Sequence, residues 1–387
     1  NHLSMQSHTV GRPVQDRTTR VNMKSCFVRL TFLCSLISLY IIVYSYGDTK
    51  LFMSAGKYVF NVDIMQKKAE ENSKAKKENS LKYILQWTSD SMLPFADMGK
   101  GQNGFVDRKC PHTNCFVTSN ESYLGDYTKF NAIAFAGPDL SLYNIKKPKR
   151  RSPHQKYVFG SIESSMNYPI DDKYDGFFNW TWTYKLDSEV HWGYIVVRDI
   201  HNNIIGPRKD MNWLKPDEMT PVSNEVKTQL KTKRKAAAWY VSNCNTQSKR
   251  EVVTRELQKE LGRYLCMGAS CTIDVYGACG PFKCSRDKEF CNKKIAMTYY
   301  FYLSFENALS EDYELGVVKL AAKMHELMNN PEEYAKYFRW KNHYYYHRTT
   351  ETVETNEYCR FCALLNDEKS VREISVYNNF REWWNSG

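Results

Sequence analysis

One turn of the sequence combines residue types that bind phosphate. Ser242 is the last residue of the apolar run 236–242, and Asn243 follows it. Arg250 lies near the start of the helical pattern 247–264. A turn from strand to helix gathers free N–H groups and the positive end of the helix dipole. A guanidinium there can bind a phosphate through two hydrogen bonds. The pattern indicates a pyrophosphate site, although a capped helix with exposed basic residues produces it more often.

One carboxylate has the position of a general base. Glu163 follows the apolar run 156–162 and is flanked by Ser161 and Ser164, where a strand gives way to a loop. Such a carboxylate can accept a proton from a hydroxyl, and partial burial would raise its pKa toward the working range of a base. A loop glutamate is more often merely solvated, so the role depends on context.

The elements that must position these residues fall into two halves. Strands are predicted in the first half by runs rich in Ile, Val, Tyr and Trp, at 82–87, 132–136, 156–162, 177–184 and 194–197. A basic stretch with three prolines, 201–235, separates the halves. The second half alternates strands and helices, at 236–242, 247–264, 272–276, 298–305, 315–328 and 331–346. This alternation predicts an α/β fold that binds ligands at the carboxyl ends of its strands.

The N-terminal region has the pattern of a membrane anchor. Residues 30–46 are seventeen residues without a charged side chain, and five basic residues and one acidic residue lie between residues 12 and 29. The positive-inside rule then predicts a cytosolic tail (1–29), a single-pass type II anchor (30–46) and a luminal body. A cleaved signal peptide is the alternative, but no small-x-small cleavage site follows. The Lys- and Glu-rich end of 47–80 predicts a solvated stem.

The cysteines favour disulfides. Of twelve cysteines, two lie in or beside the anchor, which leaves an even number, ten, on the luminal side. We expect local bridges, with Cys110 paired to Cys115 and Cys359 paired to Cys362. Zinc ligation by Cys359 and Cys362, or by Cys279, Cys284 and Cys291, is the alternative, but the oxidising lumen and the lack of histidine partners argue against a metal.

Two sequons and the positive charge have simple interpretations. Asn120 begins a sequon in a polar stretch and is expected to carry a glycan, whereas Asn179 lies inside a strand motif and is expected to be structural. The net charge of +11 favours anionic partners. Behind a membrane anchor, the basic clusters 146–151 and 227–235 indicate solvated loops, so no nucleic-acid partner is expected.

Five motifs in order carry a family resemblance. They are FGSIESSMNYP (159–169), FFNWTWTYKLDSE (177–189), SN (242–243), DVYGACG (274–280) and YYFYLSFENALSEDY (299–313). Behind a type II anchor, this series closely resembles the α1,3-fucosyltransferase family from residue 84 to the C-terminus. CPHTNC (110–115) and YCRFC (358–362) look like the core-type enzymes of insects and plants, which act on the innermost GlcNAc of N-glycans.

The resemblance implies two Rossmann-like domains (GT-B type) in a Golgi enzyme. The acceptor N-glycan would be bound mainly by residues 81–200 and the donor GDP-fucose by residues 236–387. It implies an inverting α1,3 transfer of L-fucose with Glu163 as base and Arg250 on the pyrophosphate, and it requires no metal or other cofactor. The other donor-binding residues implied are Ser242, Asn243, Tyr276, Gly277, Phe305, Glu306, Asn307, Asp312 and Tyr313.

The chain departs from the family after Tyr313. Relatives continue with Thr-Glu-Lys, a helix and a buried strand, whereas this chain goes directly to Glu314-Leu315-Gly316. A helix–strand unit of roughly 30 or more residues is therefore expected to be missing, together with a lysine that contacts the pyrophosphate in the family. This predicts an incomplete donor domain and impaired catalysis. An inactive truncated isoform and a Lewis-type enzyme acting on antennae are the alternatives.

Overall fold

Strands form at short runs of β-branched and aromatic residues, in accord with their propensities. The computed structural model describes residues 35–38, 67, 80–266, 268–284, 288–308 and 317–386, and internal contacts divide the chain into Asn1–Glu78 and Asn79–Gly387. The strands are β1 (Lys82–Gln86), β2 (Cys115–Thr118), β3 (Ala132–Ala136), β4 (Lys156–Ser161), β5 (Trp180–Thr183), β6 (Val190–His191), β7 (Ile195–Asp199), β8 (Ile204–Gly206), β9 (Lys235–Tyr240), β10 (Ser270–Tyr276), β11 (Tyr299–Leu303) and β12 (Tyr344–Arg348). The helices are α1 (Asn103–Val106), α2 (Gly137–Leu142), α3 (Asn224–Leu230), α4 (Arg250–Leu261), α5 (Lys288–Thr298), α6 (Val317–Asn329), α7 (Pro331–Lys336), α8 (Glu357–Asn366), α9 (Glu368–Arg372) and α10 (Phe380–Asn385).

The predicted anchor lies almost entirely outside the described residues. Of 30–46, only residues 35–38 are described, and they are helical. Within the described part of the chain, no helix has the length and apolar character needed to cross a bilayer. The tail and nearly all of the stem also lie outside it.

The first half of the chain forms a six-stranded parallel sheet. Its order is β2-β1-β3-β4-β5-β6. Successive side chains point to opposite faces, so Ile84 and Val158 pack on one face while Leu85 and Phe159 pack on the other. Burial on both faces explains why these strands are nearly continuous apolar runs. The prediction of an α/β fold is confirmed, and the parallel sheets are consistent with a GT-B architecture.

The C-terminal helices pack on this first sheet, which differs from the expectation that 236–387 forms one domain. Phe361 of α8 packs with Trp182 on one face, and Phe380 and Trp384 of α10 pack on Phe159 on the other. In the first half, α1 and α2 have only four and six residues. They cannot cover two apolar faces, so the end of the chain returns to do so.

Two disulfides connect the first sheet to α8, and the expected pairings Cys110–Cys115 and Cys359–Cys362 are wrong, although local bridges occur elsewhere. Cys110 is bonded to Cys359 and Cys115 to Cys362, across sequence separations of 249 and 247 residues. Residues three apart on a helix share one face, so both cysteines of α8 point toward the sheet. The other pairs are Cys244–Cys279, Cys266–Cys271 and Cys284–Cys291. All ten cysteines after the anchor are therefore disulfide-bonded, and none of them is a thiolate that could bind zinc.

The second half forms a smaller parallel sheet in the order β10-β9-β11. Leu257 of α4 and Met324 of α6 pack on one face, and Ile295 of α5 packs on the other. This arrangement places the ends of β9, β10 and β11, and the motifs that follow them, at one edge.

A third, antiparallel sheet has the order β12-β7-β8. The stretch 201–235, predicted as a linker, contains β8 and α3, and the helix predicted over 331–346 ends at Lys336. Tyr344, Tyr345 and Tyr346 instead pair with β7. Aromatic side chains favour such a pleated, half-exposed position, which the helical periodicity concealed.

The long-range bridges should dominate stability. In the chain-entropy model, closing a loop of about 250 residues stabilises by about 3.5 kcal/mol more than closing one of about 5 residues. Either long-range bridge alone still closes this loop, so both must be removed: we expect Cys110→Ala/Cys115→Ala/Cys359→Ala/Cys362→Ala to lower the urea midpoint far more than Cys266→Ala/Cys271→Ala, whose separation is 5 residues. A non-reducing peptide map should link the segments around 115 and 362. Equal losses, or a peptide linking Cys359 to Cys362, would contradict the crossed pairing.

Candidate active site

Arg250 joins the ends of two strands of the second sheet. Its Nη1 donates to the carbonyl of Phe305, after β11, at 2.7 Å, and its Nη2 donates to the carbonyl of Asn243, after β9, at 3.3 Å. Ser242 and Asn243 are exposed beside it. In the described structure the buried Nε of Arg250 has no hydrogen-bond partner. The side chain therefore fixes the turn after β9 against the loop after β11, and each Nη has a second N–H for a ligand.

The Phe305-Glu306-Asn307 segment is held by its backbone. Ser248 Oγ donates to the carbonyl oxygen of Glu306 at 2.8 Å, and the backbone N–H of Ser248 donates to the carbonyl oxygen of Asn307 at 3.4 Å. The Glu306 side chain is consequently exposed and that of Asn307 half-buried. Asp312 and Tyr313, the other residues predicted in this motif, lie outside the described residues.

Gly277 allows the turn after β10 to approach β9 closely. Its φ is +97°, and a Cβ at this position would collide with the carbonyl oxygen of Val241. The disulfide Cys244–Cys279 ties the same turn to the turn after β9. Two independent constraints therefore bring the SN turn and the DVYGACG turn together.

Tyr276 differs from its neighbours because its side chain is buried. Its ring stacks on Tyr240 at a centroid distance of 5.0 Å, and its hydroxyl lies 2.9 Å from that of Tyr299. Tyr299 in turn donates to Asp274 at 2.6 Å. Tyr276 thus supports the strand end from within the core and does not line the open part of the site.

The first turn of α4 already holds a carboxylate. The Thr246 hydroxyl donates to the Glu251 carboxylate at 3.0 Å. The pKa of Glu251 is lowered, chiefly by a hydrogen bond from the backbone N–H of Glu251 to its own carboxylate. A phosphate here would meet this negative charge, so the helix terminus alone is a poor anion site. Binding must rely on cationic side chains.

Lys283 is a second cation at this edge, and sequence reasoning missed it. Its Nζ donates to the carbonyls of Gly277 and Gly280 at 2.6 and 3.1 Å. No spacing rule singles out a lysine in the loop after a strand. Its position depends on the sharp turn at Gly277, which only the folded chain shows.

Glu163 lies just beyond β4, exposed, with Tyr194 beside it. The Tyr194 hydroxyl donates to the carbonyl of Ile162 at 2.7 Å, and Tyr194 has a left-handed backbone, with φ +46°. Partial burial, followed by the negative charges of Glu163 and Glu306, raises the pKa of Tyr194 to about 12. The negative charges of the predicted base and of the donor-motif glutamate therefore both act on the pKa of one tyrosine. A tyrosine with positive φ has no sequence signature, so Tyr194 was not predicted.

Two family models match most of the chain. "Fucosyltransferase, N-terminal" matches residues 79–195, and "Glycosyltransferase family 10 (fucosyltransferase) C-term" matches residues 230–314 and 316–383. The chain belongs to glycosyltransferase family 10. This fucosyltransferase is 29% identical over 352 residues to alpha-(1,3)-fucosyltransferase C of Drosophila melanogaster, which covers 79% of the chain and 78% of that protein.

Other relatives are matched over less of their length. Glycoprotein 3-alpha-L-fucosyltransferase A of Drosophila melanogaster is 26% identical over 358 residues, covering 80% of this fucosyltransferase and 61% of that protein. A Bos taurus 3-galactosyl-N-acetylglucosaminide 4-alpha-L-fucosyltransferase is 32% identical over 202 residues, covering 52% and 46%. The chain thus spans less than two thirds of both.

Gly277→Ala should disrupt the site through its backbone. The new Cβ meets Val241 and is strained at positive φ, so we expect a loss of roughly 1–3 kcal/mol in stability and weaker GDP binding by calorimetry. Gly262→Ala is the matched control, because Gly262 has φ −64° and room for a Cβ. Equal behaviour of the two variants would show that the close approach at Gly277 is unimportant.

Proposed function

We propose that this family 10 fucosyltransferase transfers L-fucose from GDP-fucose, in α1,3 linkage, to the innermost GlcNAc of N-glycans. The observation that carries the proposal is the junction at Arg250, because it holds the SN turn after β9 against the donor-motif loop after β11 at the carboxyl ends of parallel strands. Fold membership alone would not carry it.

The reaction is a single displacement with inversion. The Glu163 carboxylate takes the proton of the acceptor hydroxyl while the oxygen of that hydroxyl attacks the anomeric carbon of fucose. The bond from that carbon to the β-phosphate oxygen breaks, and GDP leaves with the electron pair. Arg250 and Lys283 lie where they can stabilise the charge that develops on the leaving phosphate. Tyr194 holds the backbone before Glu163 in place through its bond to Ile162.

Donor binding is proposed at the edge formed by the ends of β9, β10 and β11. Ser242, Asn243, Gly277, Phe305 and Asn307 belong to the turns that meet there. Asp312 and Tyr313 remain proposed members, and Tyr276 is proposed as a supporting residue. Cationic side chains, not a metal ion, would hold the pyrophosphate.

The compartment proposed is the Golgi lumen behind a type II anchor. Five disulfides in the described chain support an oxidising compartment. Asn120 is exposed, which suits a glycan acceptor. The amide of buried Asn179 instead accepts from the N–H of Tyr157 and donates to the carbonyl of Ser375, as expected of a structural residue.

The donor domain is proposed to be incomplete, with slow turnover as the consequence. The C-terminal family match divides at residue 315, close to the predicted break after Tyr313. The alignment with the Drosophila C protein has 352 positions, whereas 79% of 387 residues is about 306, so about 46 positions face gaps in this chain. The second sheet accordingly has three strands among the described residues, against six in the first.

Arg250→Ala should weaken GDP binding. Hydrogen bonds to charged groups contribute about 1.5–3 kcal/mol, so calorimetry should show roughly a 10- to 150-fold higher Kd. Arg255→Ala, an exposed arginine of the same helix, should leave the Kd unchanged, and EDTA should do the same. Equal Kd values for both variants would remove Arg250 from the pyrophosphate site.

Glu163→Gln should separate chemistry from donor binding. We expect no fucosylated product by mass spectrometry, with a GDP Kd within about twofold of the parent, because the amide cannot take a proton. The parent protein is tested with two acceptors, a core N-glycan and an N-acetyllactosamine glycan. We expect it to form product from the core glycan alone, at a low rate. Product from the second acceptor alone would favour a Lewis-type enzyme. Retained transfer by Glu163→Gln would exclude it as base.

A further inference from the structure

The ring of Tyr194 is exposed although its position is fixed at both ends. This residue is 54% exposed, and its hydroxyl donates to the carbonyl of Ile162 at 2.7 Å. At its backbone, the N–H of Ile195 donates to the carbonyl of Gly193 and closes a three-residue turn around Tyr194. Exposed side chains ordinarily exchange between rotamers. A tyrosine held by its hydroxyl and by its backbone has lost that freedom before any ligand binds.

Trp192 supports this ring from the side of the core. The centroids of the Trp192 and Tyr194 rings lie 6.2 Å apart, and the two planes are inclined by 80°. Trp192 is itself partly buried against the core of the first sheet, next to Trp182. An edge-to-face pair leaves at least one face of the tyrosine ring uncovered. The pair therefore presents a flat aromatic surface on a rigid support.

The backbone of Tyr194 has a left-handed conformation that bulky side chains avoid. Its φ is +46°, and a tyrosine keeps such a conformation only where the surrounding structure imposes it. Glycine would adopt the same backbone without this strain. Strained residues cluster at functional sites, where the strain aims a particular side chain. Packing alone does not account for the strain here, because about half of the residue contacts no part of the core.

The ring lies beside the proposed base. The Tyr194 hydroxyl contacts the residue that precedes Glu163, and Ser161 Oγ donates to the carbonyl of Glu163 at 3.0 Å, so the backbone that carries the base is held at two consecutive carbonyls. Burial, followed by the negative charge of Glu163, raises the pKa of Tyr194 to about 12, as expected of close neighbours. Glu163 is exposed. A sugar whose hydroxyl reaches its carboxylate is therefore within reach of the ring.

The chemistry of a GlcNAc residue matches such a surface. The substituents of a β-linked GlcNAc are equatorial, so its axial C–H bonds point to the two faces of the pyranose and make these faces apolar. The face of an aromatic ring carries partial negative charge, which attracts these weakly positive hydrogens. A ring that is already fixed also loses little conformational entropy when a ligand packs on it.

We propose that the ring of Tyr194 is the surface on which the acceptor GlcNAc packs, so that its 3-hydroxyl lies at Glu163. The two ends of one side chain then have separate tasks, because the hydroxyl holds the loop of the base and the ring binds the sugar. The inference rests on the proposed transfer to GlcNAc, but it concerns acceptor binding, which is measured without turnover.

The test is an NMR titration of the full chain with a core N-glycan in the absence of GDP-fucose, so that no transfer occurs. Tyr194→Leu removes the ring at similar size and should raise the Kd of the glycan roughly two- to tenfold, the range expected for an aromatic contact. Tyr194→Phe retains the ring and should keep the Kd within about twofold of the parent. Tyr143→Leu, at a tyrosine after α2 that is 59% exposed, is the matched control and should leave the Kd unchanged.

Saturation transfer from the aromatic protons of the protein supplies a second readout. The C–H protons of the innermost GlcNAc should receive the most saturation in the parent and in Tyr194→Phe, and less in Tyr194→Leu. Equal Kd values for the parent and Tyr194→Leu would overturn the proposal. So would equal losses in Tyr194→Leu and Tyr194→Phe, because they would assign the effect to the hydroxyl. Binding of an N-acetyllactosamine glycan in place of the core glycan, with the same dependence on the ring, would support the role of Tyr194 and overturn the proposed acceptor.

Discussion

The paired hydrogen bonds from Arg250 are the constraint on which the proposed donor site depends. One guanidinium fixes Asn243, after β9, and Phe305, after β11, while Cys244–Cys279 and the close approach at Gly277 bring in the end of β10. Without these links three separate loops would each have to be ordered by the ligand, at a cost in conformational entropy. Fixing them beforehand lets binding energy act on the pyrophosphate.

The sequence predicted what depends on local pattern. The runs 132–136 and 156–162 became β3 and β4 almost unchanged, and Arg250 lies at the strand edge where the strand-to-helix turn indicated it. It did not predict what depends on distant segments. The pairing of Cys110 with Cys359 requires α8 to pack on the first sheet. Tyr194 and Lys283 are placed by backbone conformations that their own residue types do not signal.

The second sheet is the structural ground for the slow turnover that we propose. The proposed base Glu163 and the proposed pyrophosphate ligand Arg250 are both present, and Arg250 joins the ends of β9 and β11. The weakness is structural, because β11 presents an apolar edge that its sequence is not adapted to expose. We therefore propose that the stability of the donor domain, more than the chemistry of individual side chains, limits activity.

The most direct test of the donor site is hydrogen exchange of the whole chain with and without GDP. Binding at the joined strand ends predicts slower exchange in three segments together, namely 242–250, 276–283 and 303–308. Protection that is absent from all three, or that falls in only one of them, would contradict the conclusion that Arg250 and the Cys244–Cys279 bridge assemble a single donor site.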